Sequence, residues 1–237
     1  MAAQASAMTQ GEGSNGTREI RVLLVDDQAL FRAGVAVIID AQPGMRVVGQ
    51  AADGREAIAA AEEVTPDVVL MDIRMPVLDG VEATRELFAP ARVAARQHPL
   101  SVVVLTTFNL DDRAATAIRY GASGFLLKDA TPVQLAEAIR TVYAGHAVLA
   151  PTDLATLMTG QFGGAPTTPP PAAYDRLSEK ERVVFRAVAR GLSNAEVGAE
   201  IFASESTVKT HVGAILRKLD LRDRVQIVVF AYEHGLA

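Results

Sequence analysis

Between Ile20 and Tyr143, five short runs rich in Val, Ile and Leu alternate with longer stretches whose apolar residues recur at helical spacing. Short β-branched runs without polar alternation are the pattern of strands buried on both faces, and their alternation with amphipathic helices builds βα units on a parallel sheet. Strands are predicted over 20–25, 46–51, 68–71, 101–105 and 124–127. Helices are predicted to start near Ala29, Gly54, Gly80, Asp111 and Thr131, the last with Pro132 in the tolerated first turn. Right-handed crossovers then place helices on both faces, so the expected class is α/β, a five-stranded doubly wound parallel sheet.

The apolar runs end in polar residues at their carboxyl ends: Asp26 and Asp27, Asp72, Thr106 and Lys128. Open α/β sheets bind ligands at this edge. Three carboxylates brought together repel unless a cation neutralises them, and an all-oxygen donor set with one or two carboxylates suits magnesium. Lys128 and Thr106 supply a compact charge and a hydroxyl for an incoming phosphoryl group. Asp53, by contrast, opens Asp53-Gly54-Arg55-Glu56, which has the spacing of a capping box and is read as a helix start.

Residues 149–175 lose the apolar periodicity and collect Gly163-Gly164 and Pro169-Pro170-Pro171, which reads as a linker between two domains. Leu154 to Met158 could extend helical structure into it. From Arg176 the chain carries 10 Lys and Arg against 8 Asp and Glu, and before it 13 against 20, so an acidic front precedes a mildly basic rear. Capping boxes at Ser178-Glu179-Lys180-Glu181 and Ser193-Asn194-Ala195-Glu196 start two helices, Ser204 caps a third reaching about Leu219, and a fourth begins near Asp223. In the third, Val208, Val212, Ile215, Leu216 and Leu219 form one apolar stripe, and the opposite face presents Lys209, Thr210, Gly213 and Arg217. Small residues beside cations allow close approach to a DNA major groove. The rear is therefore expected to be a small all-α, four-helix, helix-turn-helix domain.

Three segments, Val25-Asp26-Asp27, Met71-Asp72-Ile73-Arg74-Met75-Pro76 and Gly121-Ala122-Ser123-Gly124-Phe125-Leu126-Leu127-Lys128-Asp129, together with Leu105-Thr106-Thr107, resemble receiver domains of flavodoxin-like fold. Leu177-Ser178-Glu179-Lys180-Glu181-Arg182, Gly191-Leu192-Ser193-Asn194-Ala195-Glu196-Val197 and Ser206-Thr207-Val208-Lys209-Thr210-His211-Val212 resemble the LuxR-type helix-turn-helix. Together the chain resembles a two-component response regulator of the NarL/FixJ type, over about 18–237. The resemblance implies that Asp72 accepts a phosphoryl group from a sensor histidine kinase, that Asp27 and Asp72 bind Mg2+ directly with the Arg74 carbonyl, and that Asp26 binds mainly through water. It further implies that Lys128, Thr106 and the switch aromatic Phe125 respond to the phosphoryl group, and that Ser206, Thr207, Lys209, Thr210, His211, Gly213 and Arg217 lie on the double-stranded DNA contact surface. A homodimer when phosphorylated, RNA polymerase as a further partner and regulation of transcription rather than enzymatic turnover follow from the same likeness.

Three positions depart from the family pattern. Phe125 stands where tyrosine is common, Gly213 where a longer contact residue is frequent, and 88–99 is longer and richer in Ala and Arg than the usual exit of the third helix, with Pro90 placed to break it. An aspartyl-phosphate phosphatase of the haloacid-dehalogenase type is the rival from another class, but it needs a second aspartate two positions after the nucleophile, where Arg74 stands. A vestigial receiver on a phosphorylation-independent DNA-binding protein is a second rival, and a pure protein-interaction module is a third. Domain bounds are expected at 1–17 (disordered tail), 18–148, 149–175 and 176–237. There are no cysteines and no run of about 18 apolar residues, so no disulfide framework and no membrane span are expected, and the chain is expected to be cytoplasmic.

Overall fold

The structure is a computed structural model that describes residues 18–107, 112–146 and 169–237. The N-terminal domain runs β1 (Ile20–Val25), α1 (Ala29–Asp40), β2 (Met45–Ala51), α2 (Gly54–Val64), β3 (Val68–Asp72), α3 (Gly80–Leu87), α4 (Pro90–Ala95), β4 (Ser101–Thr106), α5 (Asp112–Arg119), β5 (Gly124–Leu127) and α6 (Pro132–Tyr143). All strand pairs are parallel, in the order β2-β1-β3-β4-β5. The expected α/β class and five-strand count are therefore those found.

Strand alternation divides the core in two. Leu23, Val25, Val69, Met71, Val102 and Val104 pack with α2, α3 and α5, whereas Val22, Leu24, Val68, Leu70, Val103 and Leu105 pack with α1 and α6. Period-two side-chain alternation makes each strand serve both layers. The central strand β3 is buried along its whole length, and each such aliphatic side chain contributes roughly 1.5–3 kcal/mol against exposure. That is why the apolar runs are continuous.

The strands are slightly longer than their periodicity suggests. β2 begins at Met45, which pairs with Ile20, and β3 ends at Asp72, which pairs with Leu105. β4 includes Thr106, which pairs with Leu127. Ladder pairing with a neighbour, which no local pattern reports, extends each strand. Asp53 caps α2 as expected, accepting from the Arg55 and Glu56 N–H groups, but the return arm of Glu56 accepts from Ala52 N–H at 2.8 Å, one residue before the cap. Thr131 forms a full capping box with Gln134 ahead of Pro132. The helix expected near Asp111 is described from Asp112; position 111 lies outside the described residues, as do 1–17 and 147–168, which include the Leu154 to Met158 segment and positions 149–168 of the expected linker. Pro90 does break the third helix: Phe88 ends α3, and Pro90 opens the separate short helix α4.

The C-terminal domain follows a 3-10 turn (Tyr174–Arg176) with α7 (Glu179–Ala189), α8 (Asn194–Ile201), α9 (Glu205–Leu219) and α10 (Arg224–Glu233). Capping boxes at Ser178 and Ser193, and side-chain caps at Ser204 and Asp223, set the four starts. Phe185 anchors the core, edge-on to Tyr174 at 5.2 Å and Phe230 at 6.0 Å between centroids. No helix among the described residues is long and apolar enough to cross a membrane.

Candidate functional site

Sheet order positions the acidic site. Because β1 and β3 are neighbours, their carboxyl ends set Asp26 and Asp27 beside Asp72, while β4 and β5 bring Thr106 and Lys128 from the other side. Carboxylate oxygens of Asp26, Asp27 and Asp72 lie within 4.8 Å of one another. Asp26 and Asp72 are buried and Asp27 is exposed, so the cluster opens to solvent through Asp27.

Lys128 spans the buried pair. Its Nζ stands 2.6 Å from Asp26 Oδ2 and 2.9 Å from Asp72 Oδ2, and 5.0 Å from the centre of the Phe31 ring. Its own N–H donates to the Thr106 carbonyl at 2.8 Å, which ties β5's exit to the end of β4. Asp26 Oδ1 accepts from Gln28 N–H at 2.8 Å. Asp72 Oδ1 accepts a long 3.4 Å bond from Arg74 N–H.

Burial raises the Asp72 pKa, and the Asp26 charge adds to the rise; the Lys128 hydrogen bond and charge oppose it without cancelling it. Burial also works to lower the Lys128 pKa, but its hydrogen bonds and charge interactions with Asp26 and Asp72 outweigh this, and the net direction is up. One ammonium thus faces three carboxylates. Asp26 Oδ2 is buried against the Lys128 ammonium. Three carboxylates around one ammonium, with oxygen as every donor, fit a hard divalent cation.

Local backbone keeps this edge in place. A Cβ on Gly80 would lie 1.9 Å from the Asp72 carbonyl oxygen, so only glycine lets α3 start against the end of β3. Gly80 N–H donates to the Ile73 carbonyl at 3.0 Å, and Asp79 caps α3 while pairing with Arg113 of α5 at 2.6 Å. In the intervening loop Val77 holds φ at 64°, a conformation a β-branched residue adopts only at a cost of about 1–3 kcal/mol.

Phe125 lies on β5, half-buried and paired with Val104. Thr106 is buried at the end of β4. All receiver-type residues named from sequence therefore converge on one edge or on the two strands leading to it.

On the second domain, Ser206, Thr207, Lys209, Thr210 and Arg217 are exposed on α9, with His211 and Gly213 half-buried. Val208, Val212, Ile215 and Leu219 are buried as expected, and Leu216 is half-buried against the same core. Two hydroxyls have local work: Thr207 Oγ1 lies 2.8 Å from the capping Ser204 Oγ, and Thr210 Oγ1 donates to the Ser206 carbonyl at 3.0 Å. Gly198 permits the tight α8–α9 turn, since a Cβ there would meet the Ala203 carbonyl at 2.6 Å. Lys218 braces α9 on α7 through Glu181 at 2.6 Å, which lowers the Glu181 pKa.

One group of residues escaped sequence reasoning. Arg222 and Asp223, between α9 and α10, reach the N-terminal domain at the turn before β5: Arg222 Nη2 donates to the Gly121 carbonyl at 2.7 Å and its guanidinium sits 3.7 Å from the Phe88 ring centre. Asp223 Oδ2 accepts from Ser123 Oγ at 3.0 Å while Oδ1 caps α10. Burial raises the Asp223 pKa and lowers that of Arg222. Arg119 and Glu233 add an exposed ion pair at 3.1 Å. The contact joins Phe88, α5 and the turn before β5 to α10 and the turn that precedes it.

Comparison with known proteins agrees with both halves. Residues 22–140 match the family described as response regulator receiver domain, and 175–231 match bacterial regulatory proteins of the luxR family. The chain is 38% identical to the uncharacterized transcriptional regulatory protein YxjL of Bacillus subtilis (strain 168), over 92% of this chain and 97% of that protein. It is 36% identical to the transcriptional regulatory protein LiaR of the same organism, over 92% and 99%. A solved two-component response regulator of the LuxR family from Aurantimonas sp. SI85-9A1 is 33% identical, covers 62% of this chain and 99% of its own, and superposes with a TM-score of 0.52. A receiver edge with an acidic cluster and a lysine, joined to a four-helix reader, places this chain among the response regulators that combine a receiver domain with a LuxR-type DNA-binding domain.

Proposed function

We propose that Asp72 is the phosphoacceptor and that its modification by a sensor histidine kinase controls DNA binding through α9. The observation that carries this reading is the Lys128 ammonium set between buried Asp26 and Asp72 beside exposed Asp27. An Asp72 carboxylate oxygen attacks the phosphorus of the donor phosphohistidine. The P–O bond forms as the P–N bond breaks, and the electron pair returns to the imidazole nitrogen. Lys128 is placed to balance the charge that three phosphoryl oxygens bring. Asp27, Asp72 and the Arg74 carbonyl would hold Mg2+, with Asp26 acting mainly through water; the ion, when bound, neutralises the carboxylates and the transferring group. Thr106 and Phe125 would register the product on β4 and β5. Slow hydrolysis of the acyl phosphate would reset the switch.

The product adds roughly −1.5 to −2 charge. β5 links that charge to the domain contact, since Ser123, which bonds Asp223, immediately precedes the strand that carries Phe125 and leads to Lys128. We read 18–148 as the receiver, 149–175 as the linker and 176–237 as the reader. Phosphorylation would favour a homodimer on paired half-sites in the cytoplasm, with RNA polymerase as the further partner. Lys209, Thr210 and Arg217, with Ser206, Thr207, His211 and Gly213 around them, would meet the DNA.

Two expected results test the parts separately. Asp72 has a folded pKa above its unfolded value, so its contribution to stability is present below the unfolded value and lost as pH rises through the folded one. Without divalent cation, Asp72→Asn should therefore melt above the wild type at neutral pH, with the gap closing toward acid. Added magnesium should raise the wild-type Tm and leave the variant unmoved. For the reader, Lys209→Ala should weaken binding to a random duplex and reduce the slope of log affinity against log salt by about 1. A salt slope identical to wild type would remove Lys209 from the interface.

A further inference from the structure

The segment 88–99 builds one wall of a cleft that the phosphoryl switch does not use. Helix α4 and the residues after it face the end of α2 across a cavity of about 550 Å³, a volume within the range of small-molecule sites. Buried Leu87 and Leu100 form its floor, and Ala91 on α4 leaves it open. Its charge is unbalanced. Arg92 pairs with Glu62 of α2, whereas Arg96 has no carboxylate partner among the described residues and donates only to the Leu87 carbonyl at 2.9 Å. Burial, and then the charge of Arg92, lower the Arg96 pKa, the direction expected of a half-buried guanidinium beside a second cation.

We propose that this cleft binds a small apolar carboxylic acid as its carboxylate, with the hydrocarbon part against Leu87, Ala91 and Leu100 and the carboxylate on Arg92 and Arg96. An apolar floor under cations selects such a ligand over a bare phosphate, which would leave the floor uncovered, and over a neutral hydrocarbon, which would leave the guanidinium charge unmet. The Arg96 guanidinium also lies 5.9 Å from the centre of the Phe88 ring, the same ring that Arg222 of the second domain approaches at 3.7 Å. Occupancy of the cleft therefore acts one ring away from the domain contact.

The test uses the full chain and 2-naphthoate, whose own emission is not obscured in a protein without tryptophan, with 2-naphthamide as the uncharged counterpart. Naphthoate should bind saturably at one site and protect amides of 88–99 from hydrogen exchange. The amide, and naphthoate with Arg96→Gln, should each bind about tenfold more weakly, the loss expected for one charge-assisted hydrogen bond. Glu62→Gln, an exposed change that leaves the Leu87 bond intact, should tighten naphthoate binding by freeing Arg92, and it decides the matter if Arg96→Gln does not fold. No saturable binding below roughly 5 mM, equal binding of acid and amide, an unchanged Glu62→Gln affinity, or protection confined to other segments would each overturn the proposal.

Discussion

Lys128→Met should destabilise the metal-free protein by about 3–5 kcal/mol, the cost of leaving buried charge without its partner. Asp26 and Asp72 are both buried, and the Lys128 ammonium lies within 3 Å of each. Its raised pKa means that the pairing is complete through neutral pH and is lost only as pH rises beyond the ordinary lysine range. In the variant the carboxylates must take up protons or stay buried and charged, so the deficit should be largest at neutral pH and shrink toward acid. Urea unfolding at pH 7.5 and pH 5 without divalent cation measures this directly. Phosphoryl uptake should fall by about 10²–10³-fold, as for removal of one preorganised donor to a developing anion. A variant as stable as wild type at pH 7.5 would mean that the two carboxylates do not depend on Lys128.

Gly80→Ala should cost about 3 kcal/mol, near the upper end for overpacking, although the residue opens a helix where alanine is otherwise welcome. The added methyl would stand 1.9 Å from the Asp72 carbonyl oxygen and 3.0 Å from Met71 Cγ. Neither the backbone of β3 nor the buried Met71 can yield cheaply, so α3 must move away from the strand. That shift carries Asp79 and the loop from Arg74 to Leu78 with it, since Gly80 N–H bonds Ile73 and Leu78 N–H bonds Pro76. Reduced phosphoryl uptake should accompany the lower Tm, whereas Gly34→Ala, at a site with nothing within 4 Å of the new methyl, should leave uptake unchanged. A Gly80→Ala protein with wild-type Tm would show that α3 is not seated by this contact.

The acidic edge was legible in sequence because each polar residue follows an apolar run, and parallel strands necessarily bring such ends together. Asp26, Asp27, Asp72, Thr106 and Lys128 needed only the strand order to meet. The helix starts were equally open to reading, since Ser178, Ser193, Ser204 and Thr131 act through bonds two or three residues long. Longer-range pairing was not. Asp223 reads as a helix cap, which it is, but its second oxygen meets Ser123 across 100 positions, and no local pattern announces that bond. Arg222 looks like a surface cation and is instead pressed onto Phe88. The break at Pro90 was foreseeable, whereas the cleft that α4 closes depends on how it faces α2.

The most direct test of the central claim is intact-mass analysis of wild type and Asp72→Asn after incubation with acetyl phosphate and magnesium, with DNA affinity measured on the same samples. A single phosphoryl addition to wild type alone, accompanied by tighter DNA binding, is the predicted result. Addition to Asp72→Asn as well as wild type, or addition to wild type with DNA affinity unchanged, would contradict the assignment of Asp72 as the residue through which the receiver controls the reader.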